Sequence, residues 1–285
     1  MTNQNHEPAN GGAAAGLDEA ERWSALTTRI LAPNAGLMTL DGTNTFVIRA
    51  EDAGSAVVVD PGPDTAAHLD RLEAFGPISL VLLTHHHFDH IEGAAEFAER
   101  TGAVVRALDP ALCIDAPALY DGEVIEAAGT RIVVVATPGH TADSVCFLLP
   151  DDIVAGTDGT GGTLLTGDTI LGRGTTILAR PDGSLRDYLG SLARLRDLAG
   201  VDLVLPGHGP ALPSLPAVVD SYLEHRRERL AQVSAALRTL DLQPSSDPEV
   251  VTRVTDFVYP HTHPGVRFAA EASTYAQLAF LETER

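Results

Sequence analysis

The sequence has few cysteines and no long apolar run. Its two cysteines, Cys113 and Cys146, provide no disulfide framework, which is typical of a protein from a reducing compartment. No stretch approaches the ~20 consecutive apolar residues that a membrane-spanning helix needs. Residues 1–16 lack both a basic start and an apolar signal core. These absences predict a cytoplasmic protein without a membrane partner.

Basic residues are also scarce. Lysine and arginine together number 19 against 39 aspartates and glutamates, a formal net charge of −20. This balance opposes long-range attraction of nucleic acids. The arginines nevertheless cluster, as Arg226, Arg227 and Arg229 and as Arg173, Arg180, Arg186, Arg194 and Arg196. A local basic rim and a solvated surface balanced by acids are both compatible with this pattern.

The length of 285 residues and the 44% hydrophobic content suit one large catalytic core with a terminal addition. We predict a flexible N-terminal tail over residues 1–22, a catalytic domain over 23–213 and a helical C-terminal region over 214–285. Strand-like runs form two series separated by helical patterns, such as those at Thr65–Phe75 and Ile91–Thr101. Two face-to-face sheets with helices outside would account for both series. The predicted strands are Thr45–Arg49, Ala56–Asp60, Leu80–Thr84, Ala103–Ala107, Arg131–Thr137, Ser144–Leu149, Thr163–Thr166 and Leu203–Pro206.

The densest chemical signal is the segment Thr84-His85-His86-His87-Phe88-Asp89-His90, directly after a buried strand pattern. Side chains two residues apart in an extended stretch point the same way, so His85 and His87 can reach one metal ion. Asp89 and His90 can then turn toward a second ion. His86 alternates away from its neighbours, and we expect it to pack or hydrogen-bond elsewhere.

Three further candidates lie in glycine-containing turns after strand-like runs: His140, Asp168 and His208. We expect His140 to complete a three-histidine site and His208 to join Asp89 and His90. Asp168 can bridge two ions with its two oxygens. Two divalent ions ~3.5–4 Å apart can hold a shared hydroxide and polarise the bond under attack. This set of ligands predicts a two-metal hydrolase, in which Asp89 would orient the hydroxide and relay its proton.

The order of these residues resembles the metallo-β-lactamase superfamily, whose HxHxDH signature is matched by His85 to His90. The resemblance covers roughly residues 32–213 and implies the αββα sandwich fold. It also assigns Asp60, after Val57-Val58-Val59, to orienting a ligand histidine through a ring N–H group. The histidine-rich first site favours zinc, whereas manganese or iron also suits the mixed second site.

Several segments are similar to the beta-lactamase-like protein 2 group, members of which include single-strand RNA endonucleases. They are Leu40-Asp41-Gly42-Thr43-Asn44-Thr45-Phe46, Gly167-Asp168-Thr169-Ile170-Leu171-Gly172, Pro206-Gly207-His208-Gly209-Pro210 and Tyr222-Leu223-Glu224-His225-Arg226-Arg227-Glu228. Thioesterases of the glyoxalase II type share the metal signature. The substrate is therefore expected to be single-stranded RNA or a small thioester or ester. A mono-iron persulfide dioxygenase or a true β-lactamase fits less well. Oligomeric state is left open.

Two regions outside the metal pattern bear on the site. His225 lies in a helical pattern beside Arg226 and Arg227. If that helix packs across the metals, His225 could act catalytically by donating to a substrate oxygen, and an arginine could hold an anionic group. The alternative is a solvent-facing helix. His261 and His263 are spaced like a metal pair, but the flanking prolines favour a loop.

Overall fold

A computed structural model of the chain describes residues 20–157, 159 and 161–284. Most of the predicted tail, residues 1–19, lies outside this range. Glu21–Arg22, at the end of that predicted tail, forms a short strand. Twelve strands of the described chain form two six-stranded sheets.

The first sheet is ordered β1 to β6 along the chain. Its strands β4, β5 and β6 run parallel to one another, whereas the earlier pairings are antiparallel. Helices connect the parallel strands, as such crossovers require. The strands are β1 (Glu21–Arg22), β2 (Thr27–Leu31), β3 (Asn44–Ile48), β4 (Ala56–Val59), β5 (Ile78–Leu82) and β6 (Val104–Arg106). The helices are α1 (Ala66–Glu73), α2 (Phe88–Ile91) and α3 (Ala94–Thr101), followed by a 3₁₀-helix at Pro110–Leu112.

The second sheet has the order β12-β11-β10-β9-β8-β7. Only the β10–β11 pair in it is parallel, and α4 connects these two strands. The elements are β7 (Val124–Ala127), β8 (Thr130–Ala136), β9 (Val145–Leu149), β10 (Gly162–Gly167), α4 (Leu185–Arg196), β11 (Val201–Pro206) and β12 (Leu212–Pro213).

The main core lies between the sheets. Alternate residues of facing strands, such as Val59 and Leu82 from one sheet and Phe147 and Leu165 from the other, are buried together. Each fully buried side chain of this type contributes about 1.5–3 kcal/mol relative to an exposed one. The outer face of the first sheet packs against α1 and α3. The outer face of the second packs against α4 and the following helix, which confirms the αββα sandwich.

The C-terminal region is helical, as predicted, and comprises α5 (Leu215–Leu240), α6 (Pro248–Val258), a 3₁₀-helix at Pro264–Val266 and α7 (Arg267–Thr283). The three α-helices share a small core that includes Val233, Val254 and Leu278. Asp247 caps α6 by accepting the Glu249 N–H. None of the described helices has the length and hydropathy to cross a membrane.

Two local predictions differ from the structure. The helix expected at Ile91–Thr101 begins earlier and is divided at Gly93, because the Gly93 N–H donates to the Gly62 carbonyl (2.9 Å) instead of to a helical turn. The sequence patterns also missed four strands, β1, β2, β7 and β12. The other predicted strands lie within a few residues of their observed bounds.

Candidate metal centre

The candidate ligands meet at one edge of the sandwich. In each sheet, parallel strands end at this edge: β4 and β5 in the first, β10 and β11 in the second. Asp60 follows β4, and the histidine segment follows β5. Asp168 follows β10 directly, and His208 is two residues beyond β11. Strand ends thus fix the positions of side chains that are distant in sequence.

His85, His87, His140 and Asp168 form a first group that could hold a metal ion. His85 Nε2 and His140 Nε2 each lie 3.0 Å from His87 Nδ1. Ligand nitrogens of a tetrahedral zinc ion would lie about 3.3 Å apart, given Zn–N distances of ~2.0–2.1 Å. The spacing of these three nitrogens therefore suits a single small cation.

Asp89, His90 and His208 form a second group. The Nε2 atoms of His90 and His208 are 3.2 Å apart, and Asp89 Oδ2 lies 3.1 Å from His208 Nε2. Asp89 and His90 come from the single turn of α2, which brings both toward the turn that carries His208. The donors are two nitrogens and one carboxylate, a mixed set that accepts several divalent metals.

Asp168 lies between the two groups. Its Oδ2 is 3.7 Å from His140 Nε2, and its Oδ1 is 3.5 Å from His90 Nε2 and 3.4 Å from His208 Nε2. Oδ1 is buried and has no hydrogen-bond partner among the described residues. A buried carboxylate oxygen without a partner is costly, so this geometry suits a bound cation.

The outer ring nitrogens of three ligand histidines face hydrogen-bond acceptors. His140 Nδ1 lies 2.8 Å from the Ile177 carbonyl, and His208 Nδ1 lies 3.1 Å from the Gly42 carbonyl. His90 Nδ1 lies 2.8 Å from Asp60 Oδ2. Assigned from this network, the Nδ1 of each of these three histidines carries a proton, so Nε2 is the nitrogen that would bind a metal ion.

Burial decides the pKa of the histidines in the first group, whereas nearby carboxylates decide that of His90 in the second. Burial lowers the pKa of His85 and His140, and it lowers that of His87 to about 4, so these imidazoles are neutral and ready to bind metal. Burial also disfavours a charged His90, yet the Asp60 and Asp168 carboxylates outweigh it and raise the pKa of His90 well above its usual value. The carboxylates at the second group therefore favour a positive charge there, which a bound cation would supply.

Two glycines permit these close approaches. A side chain at Gly207 would bring its Cβ within 2.8 Å of Asp168 Oδ1 and 2.9 Å of a His90 ring carbon. Gly139 has a φ of +135°, and a Cβ there would meet the Tyr188 backbone at 2.3 Å. The turns that carry His208 and His140 consequently require glycine before each ligand.

Sequence reasoning missed residues that hold the ligands in place. Thr84 connects Asp60 with His85, because Thr84 Oγ1 donates to Asp60 Oδ2 (2.7 Å) and lies 3.0 Å from His85 Nδ1. The Asn44 side chain donates to the Pro206 and Gly209 carbonyls (2.8 Å each), which fixes the His208 turn. Asn44 lies in a segment noted for its family resemblance, but nothing in the sequence pairs it with residue 208.

The α5 residues lie apart from the ligand atoms, and the catalytic role of His225 stays a prediction. His225 belongs to neither ligand group, and its Nε2 lies 3.2 Å from Thr175 Oγ1. Arg226 is 4% exposed and donates to the Thr176 carbonyl, so it does not offer its charge to an anionic substrate. Arg227 is exposed and pairs with Glu224.

His86 lies outside both ligand groups, and its Nδ1 is 2.8 Å from Asp143 Oδ1. With Asp143 and Asp182 it forms a third, partly exposed group whose donor atoms lie within 4.8 Å of one another. Asp182 Oδ2 already accepts the Ala142 N–H. His261 and His263 belong to no such group among the described residues.

Comparisons with known proteins agree with this geometry. Residues 38–208 match the model of the metallo-beta-lactamase superfamily. The chain is 29% identical over 267 residues to the beta-lactamase-like protein 2 homolog of Caenorhabditis elegans, covering 89% of this chain and 83% of that protein. It is 31% identical over 238 residues to the atrochrysone carboxyl ACP thioesterase of Aspergillus fumigatus, covering 79% and 69%.

The fold is similar to the crystal structure of a beta-lactamase domain protein from Burkholderia ambifaria. That likeness has a TM-score of 0.76 at 21% identity and covers 97% of this chain and 91% of the other. The superfamily consists mostly of metal-dependent hydrolases, with some oxygenases. The predicted resemblance is confirmed by the matched model, the relatives and the converging ligands, and this chain belongs to the metallo-beta-lactamase superfamily.

Proposed function

We propose that this chain is a hydrolase with two divalent metal ions, zinc by preference, that cleaves thioesters or closely related carbonyl substrates. The observation that carries the proposal is the position of Asp168, whose two oxygens face two separate groups of histidines. When bound, the two cations would polarise the scissile carbonyl and lower the pKa of an attacking water.

The protein residues supply orientation and proton transfer. His85, His87 and His140 would bind one ion, Asp89, His90 and His208 the other, and Asp168 both. The Asp89 side chain keeps 30% of its surface exposed, unlike the buried His90 and His208. Its carboxylate is therefore placed to accept the proton of the attacking water and pass it to the leaving thiolate.

Charge favours a carbonyl substrate over RNA. Of the eight arginines that could form a basic rim, five are ion-paired and one is buried. The remaining two, Arg180 and Arg229, stack over the rings of Tyr275 and Tyr259. With a net charge of −20, little unpaired positive charge is available for phosphates. The similarity to a protein named as a thioesterase supports the same choice.

A single-strand RNA phosphodiesterase is the second candidate. It is supported by the similarity to the beta-lactamase-like protein 2 homolog, taken with the endonucleases of that group. Phe88, between the ligands His87 and Asp89, is 68% exposed and could stack on a base. The same ring could equally contact an acyl chain. A persulfide dioxygenase is disfavoured because one iron would leave the Asp89, His90 and His208 group without a function.

The test compares metal-loaded protein on S-acyl thioesters and on labelled single-stranded RNA at 50 and 200 mM salt. Asp168→Ala serves as the blank, and the exposed Asp64→Asn serves as a carboxylate control. We expect thioester hydrolysis that is lost in the blank, kept in the control and nearly independent of salt.

RNA cleavage that disappears in the blank, without thioester turnover, would overturn the thioester assignment and support the second candidate. Binding of single-stranded RNA through several phosphates would also weaken steeply over this salt range, by about 300-fold for six contacts.

A further inference from the structure

A buried arginine side chain contacts the segment that supports the first ligand group, although it is not itself a ligand. Arg226 on α5 is 4% exposed. Its Nη2 donates to the Thr176 carbonyl at 2.6 Å, and its guanidinium carbon lies 4.9 Å from the centre of the Tyr188 ring. Its Nε has no hydrogen-bond partner among the described residues.

We propose that Arg226 is a positioning residue that holds His140 in the geometry required for metal binding at the first group. The proposal rests on the metal centre of the proposed function and not on the choice of substrate.

The first connection runs through the backbone of residues 176–177. His140 Nδ1 lies 2.8 Å from the Ile177 carbonyl and 3.3 Å from Thr176 Oγ1. Arg226 is bonded to the carbonyl of that same Thr176. The segment that sets the orientation of the His140 ring is therefore attached to α5 by the guanidinium.

The second connection runs through Tyr188. This fully buried residue packs against Gly139, the residue before His140, and its hydroxyl donates to the Thr169 carbonyl at 2.6 Å. Thr169 follows Asp168. Because Arg226 stacks on the Tyr188 ring, it contacts the residue that supports the turns carrying His140 and Asp168.

Packing alone does not account for an arginine here. An apolar side chain of similar volume would fill the position without the cost of burying a charge and leaving Nε unpartnered. The planar guanidinium, in contrast, can stack on a ring and donate to a carbonyl at the same time. The neighbouring α5 residues extend the attachment, because Tyr222 bonds Leu171 and His225 contacts Thr175.

The test measures zinc affinity by chelator competition in two backgrounds. A His208→Ala chain lacks a ligand of the second group, so its tightest site reports the first group. A His87→Ala chain reports the second. Arg226→Met keeps the volume and loses the donor, Arg226→Lys restores a donor, and Arg238→Met changes an exposed arginine on the same helix.

In the His208→Ala background we expect Arg226→Met to weaken zinc binding by 10-fold or more, within the roughly 10–100-fold range for residues that orient metal ligands. Arg226→Lys restores a donor but not the planar guanidinium, so it should recover only part of this loss, and Arg238→Met should change nothing. In the His87→Ala background Arg226→Met should alter affinity by less than about twofold. Thermal unfolding of the metal-free proteins checks that each variant folds, and Arg226→Leu, which also lacks a donor, replaces Arg226→Met if the latter does not.

Equal weakening in both backgrounds, or none in either, would overturn the proposal. A wild-type chain that binds no metal would instead defeat the proposed function itself. A chain that binds two ions but ignores Arg226→Met would defeat only this inference.

Discussion

Asp60 Oδ2 lies 2.8 Å from His90 Nδ1, and the same oxygen accepts the Thr84 hydroxyl at 2.7 Å. Thr84 Oγ1 in turn lies 3.0 Å from His85 Nδ1. Asp60 therefore orients a ligand of the second group directly and a ligand of the first group through Thr84. Asp60 is buried, follows β4 directly and has a backbone φ of +51°.

Replacement of Asp60 should consequently weaken both metal groups. In Asp60→Asn the amide cannot accept from the Thr84 hydroxyl, the Thr84 N–H and His90 together as the carboxylate does. We expect metal affinity to fall about 10–100-fold at both groups, as measured by chelator competition. Asp64→Asn, at an exposed position nearby, is the control. Unchanged affinity in Asp60→Asn would contradict the orienting role.

Adjacent histidines should differ sharply in their effect on metal content. His87 contributes a nitrogen 3.0 Å from two other ligand nitrogens, whereas His86 bonds Asp143. His87→Ala should lose one bound ion per chain in elemental analysis after gel filtration, and His86→Ala should lose none. Loss of an ion from His86→Ala would show that the group of His86, Asp143 and Asp182 is itself occupied.

Asp152 should be a major determinant of stability. Its buried carboxylate accepts hydrogen bonds from three hydroxyls and from the Leu26 N–H. These bonds connect β2 and the turn before it to the second sheet. The hydroxyl donors are Ser24, Thr27 and Thr163, at 2.5–2.8 Å. Asp152→Ala leaves these groups unsatisfied and should lower the free energy of unfolding by at least about 3 kcal/mol in urea titrations. The neighbouring exposed Asp151, paired with Arg131, should cost about 1 kcal/mol or less when replaced by alanine. Similar losses in the two variants would contradict this assignment.

His68 should make the fold less stable in acid. Burial, followed by the nearby Arg71, lowers the pKa of His68 to about 4 from 6.5. Between these values the unfolded chain binds the proton more strongly, so stability falls as pH drops from 6.5 to 4, by about 3 kcal/mol in total. His68→Gln removes this titration. Between pH 7 and pH 4.5 the unfolding free energy of wild type should therefore fall more than that of His68→Gln. A pH-independent difference would contradict the prediction.

Local patterns predicted most of the fold, because strands and helices impose distinct periods on buried residues. Where prediction failed, a distant contact decided the outcome. The helix at residues 91–101 is interrupted because Gly93 docks on the Gly62 loop, and a Cβ at Gly93 would lie 3.2 Å from the Gly62 carbonyl oxygen. That contact joins segments about thirty residues apart and leaves no periodic signal.

The sequence by itself determined the types and order of the candidate ligands, since strand-end histidines and aspartates are visible as local motifs. Tertiary structure alone decided the supporting contacts: Asp60 bonds His90 directly and reaches His85 through Thr84, and Arg226 is buried against Tyr188 and the Thr176 carbonyl. The physical reason is that ligand type is a property of single residues. Orientation, burial and charge pairing depend on contacts between segments far apart in the chain.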